Sequence, residues 1–127
     1  MDKKRILIIE DEKDLLESFS EILTDNGYEV VKSEDGYSGL DKIKNRTKDF
    51  DVILLDLMMP GMDGLEILRT IKNDPEVYGS TPIVVLTNMS SERVIKETFE
   101  LGATSYLIKS ELEYQDLVLE INKILGV

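Results

Sequence analysis

Val52-Ile53-Leu54-Leu55-Asp56-Leu57-Met58-Met59-Pro60-Gly61-Met62-Asp63-Gly64 joins four consecutive apolar residues to an acidic one and then to a tight loop. An unbroken apolar run of this length, without polar alternation, suits a strand covered on both faces, as in a parallel sheet. Pro60 and Gly61 predict a turn. Gly64 has no side chain and lets the chain enter a following helix close to Asp56. The loop is compact and apolar, which puts Asp56 on a stiff support, and Met59 reads as filling at the loop base.

The same kind of run recurs on either side. Ile6-Leu7-Ile8-Ile9 and Ile83-Val84-Val85-Leu86 are equally apolar, and Tyr106-Leu107-Ile108 is a shorter version. Tyr28-Glu29-Val30-Val31 is mixed and reads as an edge strand. Helical periodicity fills the gaps. Leu15, Leu16, Phe19, Ile22 and Leu23 form one apolar stripe, with Gly27 placed to close the helix. Tyr37, Leu40 and Ile43 form a weaker stripe behind Asp35, a predicted N-cap. Leu65, Leu68 and Ile71 precede an Asp74-Pro75 stop, and residues 73–81 read as a loop. Val94, Ile95, Thr98, Phe99 and Leu101 end at Gly102, and Leu117, Val118, Ile121, Ile124 and Leu125 form the last stripe. Strict βαβαβαβαβα alternation with short connections predicts an α/β fold: an open parallel sheet, helices on both faces, right-handed crossovers.

The 127 residues are expected to form a single domain, 1–127, since domains run to roughly 150 residues. Hydrophobic residues make up 42% and charged residues 32%, too apolar for a disordered chain. A net charge of −11 argues against direct binding of nucleic acid, which needs a basic face. There is no Cys and no His, which excludes disulfides, thiolate zinc sites, Cys nucleophiles and imidazole bases. Chemistry here must run on carboxylates, hydroxyls, lysines and a hard metal held by oxygen. The basic start Lys3-Lys4-Arg5 is followed by only four apolar residues before Glu10, short of the ~7–15 a signal peptide needs. No run approaches the ~18 residues of a membrane span, so a cytoplasmic protein without membrane association is expected.

In a sheet of this kind, ligands bind beyond the carboxyl ends of the strands. Glu10-Asp11 end the first strand, Asp56 the third, Thr87 the fourth, and Lys109 the fifth. If the first and third strands are neighbours, Glu10, Asp11 and Asp56 meet in one shallow cleft, with Thr87 and Lys109 beside it. Taken singly, Asp11, Asp56 and Thr87 read as helix caps and Lys109 as a solvated lysine. Together they imply more. Two carboxylates at 4 Å repel by ~4 kcal/mol at an effective dielectric near 20, so three gathered at one place call for a cation. With oxygen ligands in an open site, that cation is Mg²⁺, whose usual substrate is a phosphoryl group. A carboxylate attacks phosphorus, while the metal and an ammonium neutralise the equatorial oxygens.

Glu10-Asp11, Asp56 with Met59-Pro60-Gly61 and Asp63-Gly64, Thr87, then Gly102-Ala103 before Tyr106 and Lys109 together resemble the response-regulator receiver domain of two-component signalling, across essentially the whole chain. The resemblance implies a flavodoxin-like (βα)₅ three-layer sandwich with strand order 2-1-3-4-5. It implies that Asp56 is the phosphoacceptor, and that Asp11, Asp56 and the backbone carbonyl of Met58 bind Mg²⁺, with Glu10 acting through a metal-bound water. Lys109 would contact the phosphoryl group and Asp56, Thr87 would hydrogen-bond a phosphoryl oxygen, and Tyr106 would turn inward as Thr87 moves. The donor would be a phosphohistidine on a sensor histidine kinase or histidine phosphotransfer protein, which suits a chain with no His of its own. Such a domain adds and loses its own phosphoryl group rather than turning over substrate as an enzyme, and is expected to be monomeric. The downstream effector is not identified by sequence.

The chain also departs from that pattern. Family members usually carry Pro after the lysine; here Ser110 follows Lys109, and since a cis bond before Ser costs ~2.5–4 kcal/mol a trans bond is expected. Asn88 stands where a small residue is common, and Thr104-Ser105 where the DNA-binding, dimerising subgroup has acidic residues. Three other readings compete. An aspartyl phosphohydrolase would need a second Asp two residues after the nucleophile, where Met58 stands. A flavin site would need a Ser/Thr/Gly-rich loop after the first strand, where Glu10-Asp11-Glu12 would repel the phosphate. A phosphorylation-independent docking module would not require the acidic pair, Asp56, Thr87 and Lys109 together.

Overall fold

The computed structural model describes residues 2–127. Five strands, β1 (Arg5–Ile9), β2 (Glu29–Ser33), β3 (Val52–Leu55), β4 (Ile83–Thr87) and β5 (Ser105–Ile108), form one parallel sheet in the order β2-β1-β3-β4-β5. The helices are α1 (Lys13–Asp25), α2 (Gly36–Lys44), α3 (Gly64–Asn73), α4 (Glu92–Glu100) and α5 (Tyr114–Leu125). Successive strand residues point to opposite faces, and the apolar runs divide accordingly. Leu7, Ile9, Ile53, Leu55 and Val85 pack with Leu40, Ile43, Ile67 and Leu68 beneath α2 and α3. Ile6, Ile8, Leu54, Val84 and Leu86 pack with Leu16, Phe19, Leu117 and Ile121 beneath α1 and α5. The three-layer sandwich expected from the sequence is the one observed.

Local signals set most of the boundaries. Asp35 and Asp63 cap α2 and α3 by accepting from the Ser38 and Glu66 N–H groups at 2.7 and 3.0 Å. Gly61 takes a φ of +83° in the Pro60-Gly61 turn, a region that favours glycine. At Gly64 a β-carbon would come within 2.6 Å of both the Asp56 carbonyl oxygen and the Leu57 Cα, so α3 can start this close to the acidic loop only without a side chain. All peptide bonds among the described residues are trans, including the one before Ser110.

Four expectations need correction. β2 runs Glu29–Ser33 rather than 28–31; at the sheet edge the exposed Lys32 pairs with Glu17 at 2.6 Å, while Ser33 is buried. Residues 73–81 are not all loop, since Pro75–Tyr78 form a helical turn, with Pro75 at the position where its missing N–H costs nothing. Tyr37 is exposed; the inner face of α2 is carried by Gly36, Gly39, Leu40 and Ile43 instead, because glycine lets the helix approach Ile9 closely. Phe99 is also exposed, and its ring lies 6.5 Å from that of Tyr106.

Candidate functional site

The sheet ladder continues one residue past β1 and β3. Glu10 N–H donates to the Ser33 carbonyl at 3.0 Å, and Asp56 N–H to the Ile9 carbonyl at 3.1 Å. Both acidic residues therefore stand at fixed points on the carboxyl edge of the sheet, and both are buried, at 2% and 5% exposure. Asp11, half-buried, follows Glu10 directly. Carboxylate oxygens of Glu10, Asp11 and Asp56 lie within 4.8 Å of one another. The cleft expected on the condition that β1 and β3 are neighbours is present, because they are.

Lys109 comes to this cluster from the end of β5. Its Nζ lies 2.5 Å from Glu10 Oε1 and 3.1 Å from Asp56 Oδ2. The remaining Asp56 oxygen, Oδ1, accepts the Met58 N–H at 3.1 Å, and Glu10 Oε2 accepts the Glu12 N–H at 3.2 Å. Asp56 thus acts as neither a helix cap nor a free carboxylate: each oxygen has one donor. Burial, with the charge of Asp56 adding to it, pushes the Glu10 carboxyl up to about 7 against the opposing pull of Lys109. For Lys109, burial works against the ammonium, but the hydrogen bonds and charges of Glu10 and Asp56 outweigh it and hold its pKa above the ordinary lysine value. The Lys109–Glu10 contact, the shorter of the two, has no signal along the chain, since its members stand 99 positions apart and only strand order brings them together.

Thr87 is fully buried at the end of β4, and its Oγ1 accepts the Met89 N–H at 3.5 Å. Val85 is paired with Tyr106 across β4 and β5, and Thr87 with Ile108, so Thr87 and Tyr106 share a face of the sheet. The Tyr106 hydroxyl donates to the Met89 carbonyl at 2.7 Å. One peptide segment, Met89, therefore joins the two residues, through its N–H to Thr87 and its carbonyl to Tyr106. A backbone group of this kind carries no sequence signal. Burial raises the Tyr106 pKa, with a further contribution from Asp56. Beside the carboxylates, Met58, Met59, Pro60, Leu65 and Met89 line an apolar cavity of about 440 Å³.

The carboxyl edge of a parallel sheet thus gathers one lysine and three carboxylates, an arrangement suited to a hard cation and a phosphoryl group. The family model for the response regulator receiver domain matches residues 6–122, and the chain belongs to that family, whose members are phosphorylated on Asp. Among its relatives, Response regulator ArlR of Staphylococcus aureus is 36% identical over 121 residues, 95% of this chain and 52% of that protein. Transcriptional regulatory protein CrdR of Helicobacter pylori is 36% identical over 107 residues, 84% of this chain and 48% of that protein. The chain spans about half the length of these curated relatives. The chemotaxis protein CheY4 of Vibrio cholerae superimposes with a TM-score of 0.86 at 30% identity, covering 97% of this chain and 99% of that one. A CheY-like receiver domain protein from Methanospirillum hungatei does so with a TM-score of 0.87 at 30% identity, covering 98% and 95%.

Proposed function

We propose that Asp56 accepts a phosphoryl group from a phosphohistidine on a sensor histidine kinase or histidine phosphotransfer protein, in a reaction that requires Mg²⁺. The observation that carries this reading is the meeting of Glu10, Asp11 and Asp56 oxygens within 4.8 Å with Lys109 bridging Glu10 and Asp56. The donor set is all oxygen, and one ammonium does not balance three carboxylates, so the residues fit a hard divalent cation. Asp11, Asp56 and the Met58 backbone carbonyl would hold it, with Glu10 behind them. Mg²⁺ would supply neutralisation of charge on the phosphoryl oxygens.

In the transfer, an Asp56 carboxylate oxygen forms a bond to phosphorus while the phosphorus–nitrogen bond breaks and its electron pair goes to the partner's imidazole. The product is an acyl phosphate on Asp56. Lys109 Nζ, already 3.1 Å from Asp56, turns to a phosphoryl oxygen, and the Thr87 hydroxyl donates to another. Water later returns Asp56 and inorganic phosphate, so the domain is a self-modifying phosphoacceptor and not a turnover enzyme. Among the described residues no helix is long and apolar enough to cross a membrane; a cytoplasmic, monomeric domain spanning 1–127 belongs to the same reading. The chain is expected to gain one phosphoryl group by intact mass when incubated with a small phosphodonor and Mg²⁺, and none when the metal is chelated. Equal labelling in both conditions would remove the metal from the reaction.

Thr87 and Tyr106 make the switch. Drawing the Thr87 hydroxyl toward the phosphoryl group takes it from the Met89 N–H, and the loop that holds the Tyr106 hydroxyl moves with it, altering the face made by α4, β5 and α5. Thr87→Ala is expected to remove the gain in partner affinity on phosphorylation; a gain of wild-type size in a binding titration would break this coupling. Lifetime follows from Met58 and Met89, which flank the site without any group to orient a water. Met58→Asn or Met89→Glu is expected to speed dephosphorylation about tenfold, less than the ~100-fold or more that a full general base supplies. Phosphoryl decay measured by mass after donor removal checks this.

A further inference from the structure

Two residues just outside the cluster are joined by a bond that the phosphoacceptor reading does not use. Asn88 Oδ1 accepts the Ser110 backbone N–H at 2.8 Å. The β4–β5 ladder ends at Thr87 and Ile108, so Asn88 and Lys109 are the next residues on each strand. Ser110 lies in the 3₁₀ turn Lys109–Glu111, and the leading N–H groups of such a turn find no partner within it. Asn88 supplies one from across the sheet. Both residues are exposed, so nothing in the core demands the contact.

We propose that Asn88 is a positioning residue, which through the Ser110 N–H ties the loop carrying Thr87 to the turn carrying Lys109 and so delivers the two side chains to the phosphoryl group as one unit. This inference rests on the roles given above to Thr87 and Lys109. Before transfer, Lys109 is held at its tip by Glu10 and Asp56. When Lys109 turns to a phosphoryl oxygen those contacts loosen, and its reach is then set at its backbone, where Asn88 acts. Proline at 110 would have no N–H to donate, so the asparagine and the non-proline residue work as a pair.

The test is a double-mutant cycle on Asn88→Ala, Ser110→Pro and the double variant, read as the maximal rate and half-saturating concentration of phosphorylation by acetyl phosphate with Mg²⁺. A bond of ordinary strength corresponds to about a fivefold change. Asn88→Ala is expected to lower the maximal rate by about that factor while half-saturation stays put, and to have no effect once residue 110 is proline. Hydrogen exchange at the Ser110 amide is expected to be slow in the unmutated chain, fast in Asn88→Ala, and slow again in Asn88→Asp, which keeps the acceptor. An Asn88→Ala loss that persists in the Ser110→Pro background would overturn the proposal, since Asn88 would then act without the Ser110 N–H. So would a full rate in Asn88→Ala, or unchanged exchange at Ser110. If the unmutated chain takes no label at all, the phosphoacceptor reading fails first and this inference with it.

Discussion

Asp56→Asn is expected to yield a folded protein that takes no phosphoryl group from any donor. Asparagine has the same shape, so its Oδ1 still accepts the Met58 N–H and the helix start at Gly64 is untouched. What is lost is the charge. A neutral amide oxygen is a poor nucleophile toward phosphorus, and the substitution also removes one of the two carboxylates proposed to hold Mg²⁺ directly. The same substitution relieves repulsion between Asp56 and Glu10, whose carboxyl is pushed up in part by its neighbour. It also puts an amide N–H group where Oδ2 accepted from Lys109 at 3.1 Å, leaving the ammonium to Glu10. A modest change in stability with the fold intact is expected. Intact mass after incubation with acetyl phosphate and Mg²⁺, with circular dichroism to confirm folding, separates the two effects. A label on the Asn variant would mean that another side chain accepts the phosphoryl group.

Gly64→Ala carries the largest expected loss of stability. The added carbon would meet the Asp56 carbonyl oxygen and the Leu57 Cα at 2.6 Å, and both are backbone atoms that cannot rotate away. Overpacking typically costs ~1–3 kcal/mol, and a backbone obstacle puts this case at the upper end. Reduced freedom of the unfolded chain returns ~0.4–1 kcal/mol. The net loss of about 2 kcal/mol lowers Tm by roughly 6–10 °C for a domain of this size. The displaced atoms belong to the loop that carries Asp56, so phosphorylation should slow as well. Gly39→Ala is a useful comparison, because its β-carbon would meet side-chain atoms of the buried Ile9, the nearest at 2.5 Å, rather than backbone. Thermal melts of both variants test the distinction; a Gly64→Ala melt matching wild type would mean that α3 can draw back from the loop.

Most of the fold could be read along the chain because its signals are local. Unbroken runs such as Val52–Leu55 mark buried parallel strands, apolar stripes mark the helices between them, and Asp35 and Gly61 punctuate where expected. The reading failed where burial is not governed by hydrophobicity alone. Tyr37 is apolar enough to suggest a core position, but the close approach of α2 is made by Gly36 and Gly39. Lys32 and Ser33 are polar enough to suggest a strand end, but they extend β2, Lys32 exposed at the sheet edge and Ser33 buried where its carbonyl accepts the Glu10 N–H.

The identity of the acidic residues, the lysine and the threonine at strand ends was settled by the order of residues, since chemistry is a property of side-chain type and strand ends are legible from local pattern. Their distances from one another were not, because residues such as Glu10 and Lys109 meet through strand order and packing, which no spacing along the chain encodes. The folded arrangement alone put Lys109 nearer Glu10 than Asp56, joined Thr87 to Tyr106 through the Met89 backbone, and set Asn88 against Ser110. Two of these three contacts run through backbone N–H and carbonyl groups, which every residue type but proline offers alike, and the third through a pair 99 positions apart.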